Sequence, residues 1–164
     1  DSGGPGRYRG GCGIIRDIRI LLDEMTLGIR IDNCRYPAFG TNGGHSGKPG
    51  KIVINPNTKD EKEIKTLSDG NILKKGDLIR IITPGGGGWG CPFDRPINDV
   101  LDDVLDGYVT AKSATQDYGL VFYHDSFEVD FKKTMQHRAK LKRPKEMFHR
   151  YKYYNAIDDR APET

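Results

Sequence analysis

The sequence predicts an α+β fold: a glycine-rich β-sheet portion first, then short helices. Three observations carry this. Runs of alternating branched apolar and charged residues lie in the first half, helical spacing of apolar residues appears only after Pro92, and no segment repeats. The order of elements, strands and then helices, separates this pattern from an alternating βαβ chain.

Residues 1–12, with the motif SGGPGRYRGG, read as loop. Residues 13–24, GIIRDIRILLDE, place Ile18, Ile20 and Leu22 on one face of a strand. Residues 27–33, LGIRIDN, form a second strand of period two, and the short gap between them suggests a hairpin. Residues 34–51 are a long loop with five glycines and two prolines, and loops of this length in compact domains are usually functional or disordered. KIVIN at 51–55 is a strand, the following residues to 71 a polar connection, and 77–83 a strand entered through a Lys-Gly-Asp turn. Next, RPINDVLDDVLDG sets Ile97, Val100, Leu101, Val104 and Leu105 on one helical face. Pro96 stands in the first turn and Gly107 at the C-terminal cap. The opposite face, Asn98, Asp99, Asp102, Asp103 and Asp106, reads as solvated, since charge runs usually are. A short helix capped by Thr110 and ended by Gly119 follows, then a brief strand LVFYH, and a third helix at 130–143 stopped by Pro144.

The chain has 164 residues, 35% hydrophobic and 30% charged, enough for one domain with a core. A net charge of +3 does not by itself imply nucleic acid. Three cysteines without a CxxC pair argue against a disulfide framework or zinc knuckle and for a reducing, cytoplasmic setting. No apolar run has the length of a membrane-spanning helix. The start, a loop without methionine, suggests a cut or a preceding part on another chain.

Four features are candidates for function. The run TPGGGGWG holds Gly85, Gly86, Gly87 and Gly88 before the single tryptophan, Trp89. Its glycines suit either close approach of another backbone or subunit, or a phosphate cradle; GxxxxGK[ST] is missing, and a Cys-Pro-Phe stretch stands between glycines and helix. Arg7 and Arg9 flank Tyr8, so in an extended stretch they point the same way and could clamp a carboxylate or phosphate; the alternative is an ordinary surface pair. His45, in GGHSGKPG, could be a base, a ligand or simply exposed, and no neighbouring Asp, Glu or Cys gives it a metal signature. His137 and His149 read as surface residues of a basic tail. Between 132 and 152 that tail holds nine Lys or Arg against one Glu, with Phe148, Tyr151, Tyr153 and Tyr154 interleaved. Such a tail fits an acidic surface on a neighbouring chain more readily than a nucleic acid. Trp89, Tyr151, Tyr153 and Tyr154 are therefore expected at an interface, with Trp89 mostly buried.

Taken in order, DSGGPGRYRGGCG, YPAFGTNGGHSGKPG, KKGDLIRIITPGGGGWGCPFDRP and VLDDVLDGYVTAKSATQDYGLVF resemble the C-terminal part of the hydantoinase B/oxoprolinase family, to about Leu141. Cys91 departs from the aspartate common at that position of the family. The resemblance implies that residues 1–142 are the C-terminal segment of a larger B-type subunit, with 143–164 as an added tail. It implies a component of an ATP-dependent complex that hydrolyses a cyclic amide (hydantoin, oxoproline or lactam) after phosphoryl activation on a hydantoinase A-type partner. Two alternatives stay open: a subunit of a ketone carboxylase of the acetone or acetophenone type, and a nucleic-acid-binding module using the tail. ATP and a divalent metal are expected on other chains or on the region before this segment, with no metal held by these residues and no membrane partner.

Overall fold

The computed structural model describes residues 1–124 and 126–150 and confirms the α+β class. An antiparallel four-stranded sheet has the order β1 (Ile15–Arg19), β7 (Leu78–Ile82), β4 (Lys51–Ile54), β5 (Lys62–Ile64). Two further pairs join β2 (Glu24–Arg30) to β6 (Leu67–Lys74) and β3 (Gly40–Thr41) to β8 (Phe148–His149). Helices α1 (Ile97–Leu105), α2 (Ala111–Gln116) and α3 (Phe131–Lys140) follow, preceded by a 3-10 turn at Pro92–Asp94.

The expected hairpin between 13–24 and 27–33 does not form. The chain turns at residues 20–23, so that β1 pairs with β7 and β2 with β6. The partner ribbon turns at the same level: Ile20 N–H donates to Asp77 O at 2.9 Å and Gly76 N–H to Ile20 O at 2.9 Å. Gly76 takes φ +94° there, a left-handed conformation suited to glycine. Ile18, Ile20 and Leu22 accordingly do not share a buried face; only Ile20 is buried. The supposed polar connection contains β5 and most of β6, whose Ile64 and Leu73 join the sheet core with Ile20, Ile29, Ile52 and Ile79. Polar side chains on exposed strand faces hide these strands in the sequence. LVFYH contributes only a single bridge, Phe122 to Val129.

The helices match their signals, except that α3 ends at Lys140 with Leu141 as its cap, short of the expected stop at Pro144. Gly107 and Gly119 have positive φ after α1 and α2, Thr110 caps α2 by accepting from Ser113 N–H, and Asp130 caps α3 by accepting from Lys133 N–H. Val100, Val109, Ala114, Tyr118, Leu120 and Val129 form a second core among them. One residue of the acidic face departs from the solvated reading. Asp103 is 7% exposed and receives Arg9 Nε and Nη2, both at 3.1 Å, and Arg95 Nη2 at 2.9 Å. It anchors the N-terminal segment to α1. Asp99, Asp102 and Asp106 are exposed as expected.

The glycine run 85–88 lies inside a bundle of extended segments built from residues 2–13, 38–50 and the run itself. A Cβ on Gly85 would collide with Ser2, on Gly87 with Phe39, and on Gly88 with Pro5, each time at backbone atoms. Gly85 and Gly88 thus face the same neighbouring segment at residues 2 and 5, so both segments advance three residues per repeat, as polyproline-II-type helices do. Gly47 and Gly44 face residues 85 and 88 with the same period, running in the opposite direction. Hydrogen bonds cross between segments: Gly4 N–H to Gly86 O (2.8 Å), Gly86 N–H to Gly11 O (2.9 Å), Gly85 N–H to Lys48 O (3.0 Å) and Gly88 N–H to His45 O (2.9 Å). This satisfies backbone groups that would otherwise be buried without partners.

Two substitutions one residue apart test this packing. Gly10→Ala places a methyl into the Gly86 carbonyl, whereas Gly11→Ala meets nothing within 4 Å. Gly10→Ala should lower the urea midpoint sharply and Gly11→Ala should leave it nearly unchanged; equal effects would contradict the bundle. Likewise, Asp103→Ala leaves two guanidinium groups without their carboxylate and should cost about 3–5 kcal/mol, against less than about 0.5 kcal/mol for Asp102→Ala.

Candidate functional site

The bundle and α2 together border an open cavity of about 370 Å³. Its walls come from the first residues (Asp1, Gly3, Pro5), from His45, Ser46 and Lys48, from Thr110, Lys112, Ser113, Gln116 and Asp117, and from His149. His45 and Lys48 are placed by the bundle: His45 N–H donates to Pro5 O at 2.7 Å and Lys48 N–H to Ser2 O at 2.8 Å. A larger cavity of about 490 Å³ lies by Cys34, Arg35 and residues 63–66, where burial raises the Cys34 thiol pKa and so disfavours the thiolate.

His45 has a partner that no local spacing announces. The His149 ring stacks on it at 4.8 Å between centroids, and Ser46 N–H donates to His149 Nδ1 at 3.0 Å. His149 is therefore not an ordinary surface residue. The β3–β8 pairing brings it here, with Asn42 N–H donating to Met147 O and Gly43 N–H to Glu146 O, both at 2.9 Å. The first part of the tail thus docks on this chain itself, where Phe148 also meets Phe39 edge to face at 5.4 Å. Tyr151, Tyr153 and Tyr154 lie outside the described residues. With Nδ1 accepting, the neutral His149 ring carries its proton on Nε2.

The other candidates fall elsewhere. Arg9 cannot join Arg7 in a free clamp, because its guanidinium is held by Asp103, donates to Gly10 O at 2.8 Å and lies over the Tyr108 ring. Arg7 is exposed beside Tyr8. The amides of Gly85, Gly86 and Gly88 already donate to Lys48, Gly11 and His45 carbonyls, which favours the close-approach reading over a phosphate cradle. Trp89 is 46% exposed in this chain and its ring lies 5.7 Å from that of Tyr8. Among the described residues, no three His, Cys, Asp or Glu side chains converge as metal ligands, and no helix is long and apolar enough to cross a membrane.

Burial lowers the His45 pKa and the adjacent His149 lowers it further, while Asp117 and Glu146 oppose. An unfolded histidine titrates near about 6.5, so below that pH the unfolded chain binds a proton that folded His45 resists. Stability is then complete above about pH 6.5 and falls as the pH drops below it. Unfolding titrations from pH 8 to 5 should show this slope, and His45→Gln should flatten it; an unchanged slope would contradict the pairing.

The family model described as hydantoinase B/oxoprolinase matches residues 1–92. An uncharacterized protein of Methanocaldococcus jannaschii is 41% identical over 142 residues, covering 85% of this chain and 24% of that protein. A Pseudomonas protein assigned to a D-/L-hydantoinase as its B-type component is 33% identical over 135 residues, covering 82% of this chain and 22% of the relative. Among solved structures, the ATP-dependent caprolactamase of Pseudomonas jessenii superposes with a TM-score of 0.64 at 26% identity, over 85% of this chain and 24% of that one. A nucleotide-free acetone carboxylase shares the fold, with a TM-score of 0.62 at 20% identity, over 99% of this chain and 24% of that one. This chain spans about a quarter of the length of these proteins. With the glycine motifs of residues 1–13, 36–50 and 83–90 folded into one bundle inside the matched region, this chain belongs to the hydantoinase B/oxoprolinase family.

Proposed function

We propose that this chain is a segment of the B-type subunit of an ATP-dependent complex that hydrolyses a cyclic amide. The observation that carries this is the double similarity to the caprolactamase. Its beta subunit is 31% identical over 143 residues, and the solved enzyme superposes on 85% of this chain. In this reading a hydantoinase A-type partner transfers a phosphoryl group from ATP to the amide oxygen. Water then adds to the activated carbon, the ring C–N bond breaks as the nitrogen takes up a proton, and a second water hydrolyses the resulting acyl phosphate to carboxylate and phosphate. The amides of Gly85, Gly86 and Gly88 are already donated within the bundle, and in this reading ATP and a divalent ion are held by the partner or by the rest of the subunit. Of the named candidates, His45 fits the hydrolytic step best. It is held neutral by its surroundings and lines a cavity, as a base that takes a proton from water must be. The free cysteines fit a reducing, cytoplasmic complex.

The acetone carboxylase fold supports a second reading, in which an enol phosphate formed from a ketone attacks carbon dioxide. Turnover separates the two. The complete subunit, assembled with its partner, should release ADP and phosphate when given a lactam, hydantoin or oxoproline, with a ring-opened product. Product from acetone and bicarbonate, without amide turnover, would establish the carboxylase instead, and neither activity would sink both readings. His45→Gln should lower amide turnover by about 10²–10⁴-fold if it is the base. The half-exposed Trp89 and its neighbour Tyr8 are proposed to be covered on assembly, so Trp89 fluorescence should shift to the blue when the complex forms.

A further inference from the structure

We infer that the cavity beside His45 and His149 is a binding site for a small oxyanion, a carboxylate or a phosphoryl group. What decides this is which polar groups of its wall are already engaged. Both Asp1 carboxylate oxygens accept from Thr110, one from its N–H and one from its hydroxyl, each at 2.8 Å. Asp117 Oδ2 accepts from the Ser113 hydroxyl, which leaves that hydroxyl's proton unavailable. His149 Nδ1 accepts from Ser46 N–H. Among the described residues, the wall groups left without a hydrogen bond are mostly donors: the ammonium groups of Lys48 and Lys112, the Nε2–H of neutral His149, one N–H of neutral His45, and the Gln116 amide. Against these stand one Asp117 oxygen, one His45 ring nitrogen and the Gln116 carbonyl, while the buried Ser46 hydroxyl, also without a partner, can donate or accept.

A wall in which donors outnumber free acceptors, with two cations at its rim, suits a ligand made of acceptor oxygens. Lys48 sits on the glycine bundle and Lys112 on the first turn of α2, so the cations approach from two separate elements. The rigid segment is the one with the bundle's crossed hydrogen bonds, and a preorganised donor set binds with less ordering cost. The site is proton-linked. An anion beside His45 relieves part of the penalty on its charged form, so binding draws a proton onto the ring. The titratable groups that face His45 are His149, Asp117 and Glu146.

Anion binding here does not require the cyclic-amide reading. Calorimetric titration of the intact protein, in its purified assembly and without nucleotide, uses sodium phosphate, acetate and sulfate as probes in a chloride buffer. At least one of phosphate and acetate should bind, and which one does identifies the phosphoryl or the carboxylate class. Lys48→Ala/Lys112→Ala should weaken binding by about tenfold or more, because two charge-assisted contacts are lost. Both side chains are exposed and without an ion pair among the described residues, so this variant should keep its fold. A remote control, Lys59→Ala/Lys62→Ala, should bind as the parent does. Sulfate, which does not titrate in this range, should bind more tightly at pH 6 than at pH 8, and His45→Gln should remove that difference. Absence of binding by both phosphate and acetate, or equal binding by the Lys48/Lys112 and control variants, would overturn the site. Loss of amide turnover with anion binding retained would instead count against the proposed reaction.

Discussion

Backbone packed directly on backbone is the constraint on which this structure depends. The run 85–88 threads between segments from residues 2–13 and 38–50, and its hydrogen atoms stand where any other residue would put a carbon. Side chains elsewhere in proteins keep extended chains apart. Here their removal lets non-strand segments approach closely enough to exchange hydrogen bonds in several directions. The bundle fixes the positions of His45, Lys48 and Trp89, and its central run leads from β7 directly into the turn before α1. Neither a long hydrophobic strand nor a helix could bring that many loops to one place.

The helices are joined to this bundle by charge. Asp103 receives Arg9 from the bundle and Arg95 from the turn before α1, and Arg138 of α3 donates to Arg95 O at 2.7 Å and to Tyr118 O at 2.8 Å. A buried carboxylate with two guanidinium partners has both oxygens paired and hydrogen-bonded, which is the condition under which a buried ion is tolerated. Tyr118, buried among these groups, has its phenol pKa pushed up to about 12, chiefly by burial. The cavity sits where these two units meet, with one wall on the bundle and one on α2.

Local rules make the helices legible. Thr110, Asp130, Gly107 and Gly119 act within a few residues, so caps and stops can be read directly. The strands are legible only in part. KIVI and LIRII show the branched, alternating pattern, but Lys62–Ile64 and Leu67–Lys74 carry polar residues on exposed faces and look like connection. The pairing of β1 with β7 rather than β2 is a long-range choice that no hairpin signal records. The bundle has a sequence signal of its own: glycine recurs at 44, 47 and 50, the three-residue spacing that close-packed extended helices require. The site is less legible. His45 stands out by its glycine setting, but His149 is 104 positions further along and reaches it only through the β3–β8 pairing. Asp103 cannot be told from Asp102 by composition, because its partner Arg9 also lies far away in sequence.

Amide hydrogen exchange of the glycine run tests the backbone bundle most directly. Gly85, Gly86 and Gly88 belong to no regular strand or helix, yet their N–H groups are donated to Lys48, Gly11 and His45. The account predicts that these amides exchange as slowly as those of Ile52 and Ile79 in the central strands, about 10³-fold or more slower than an unstructured chain. Exchange at the rate of an exposed glycine loop would contradict it.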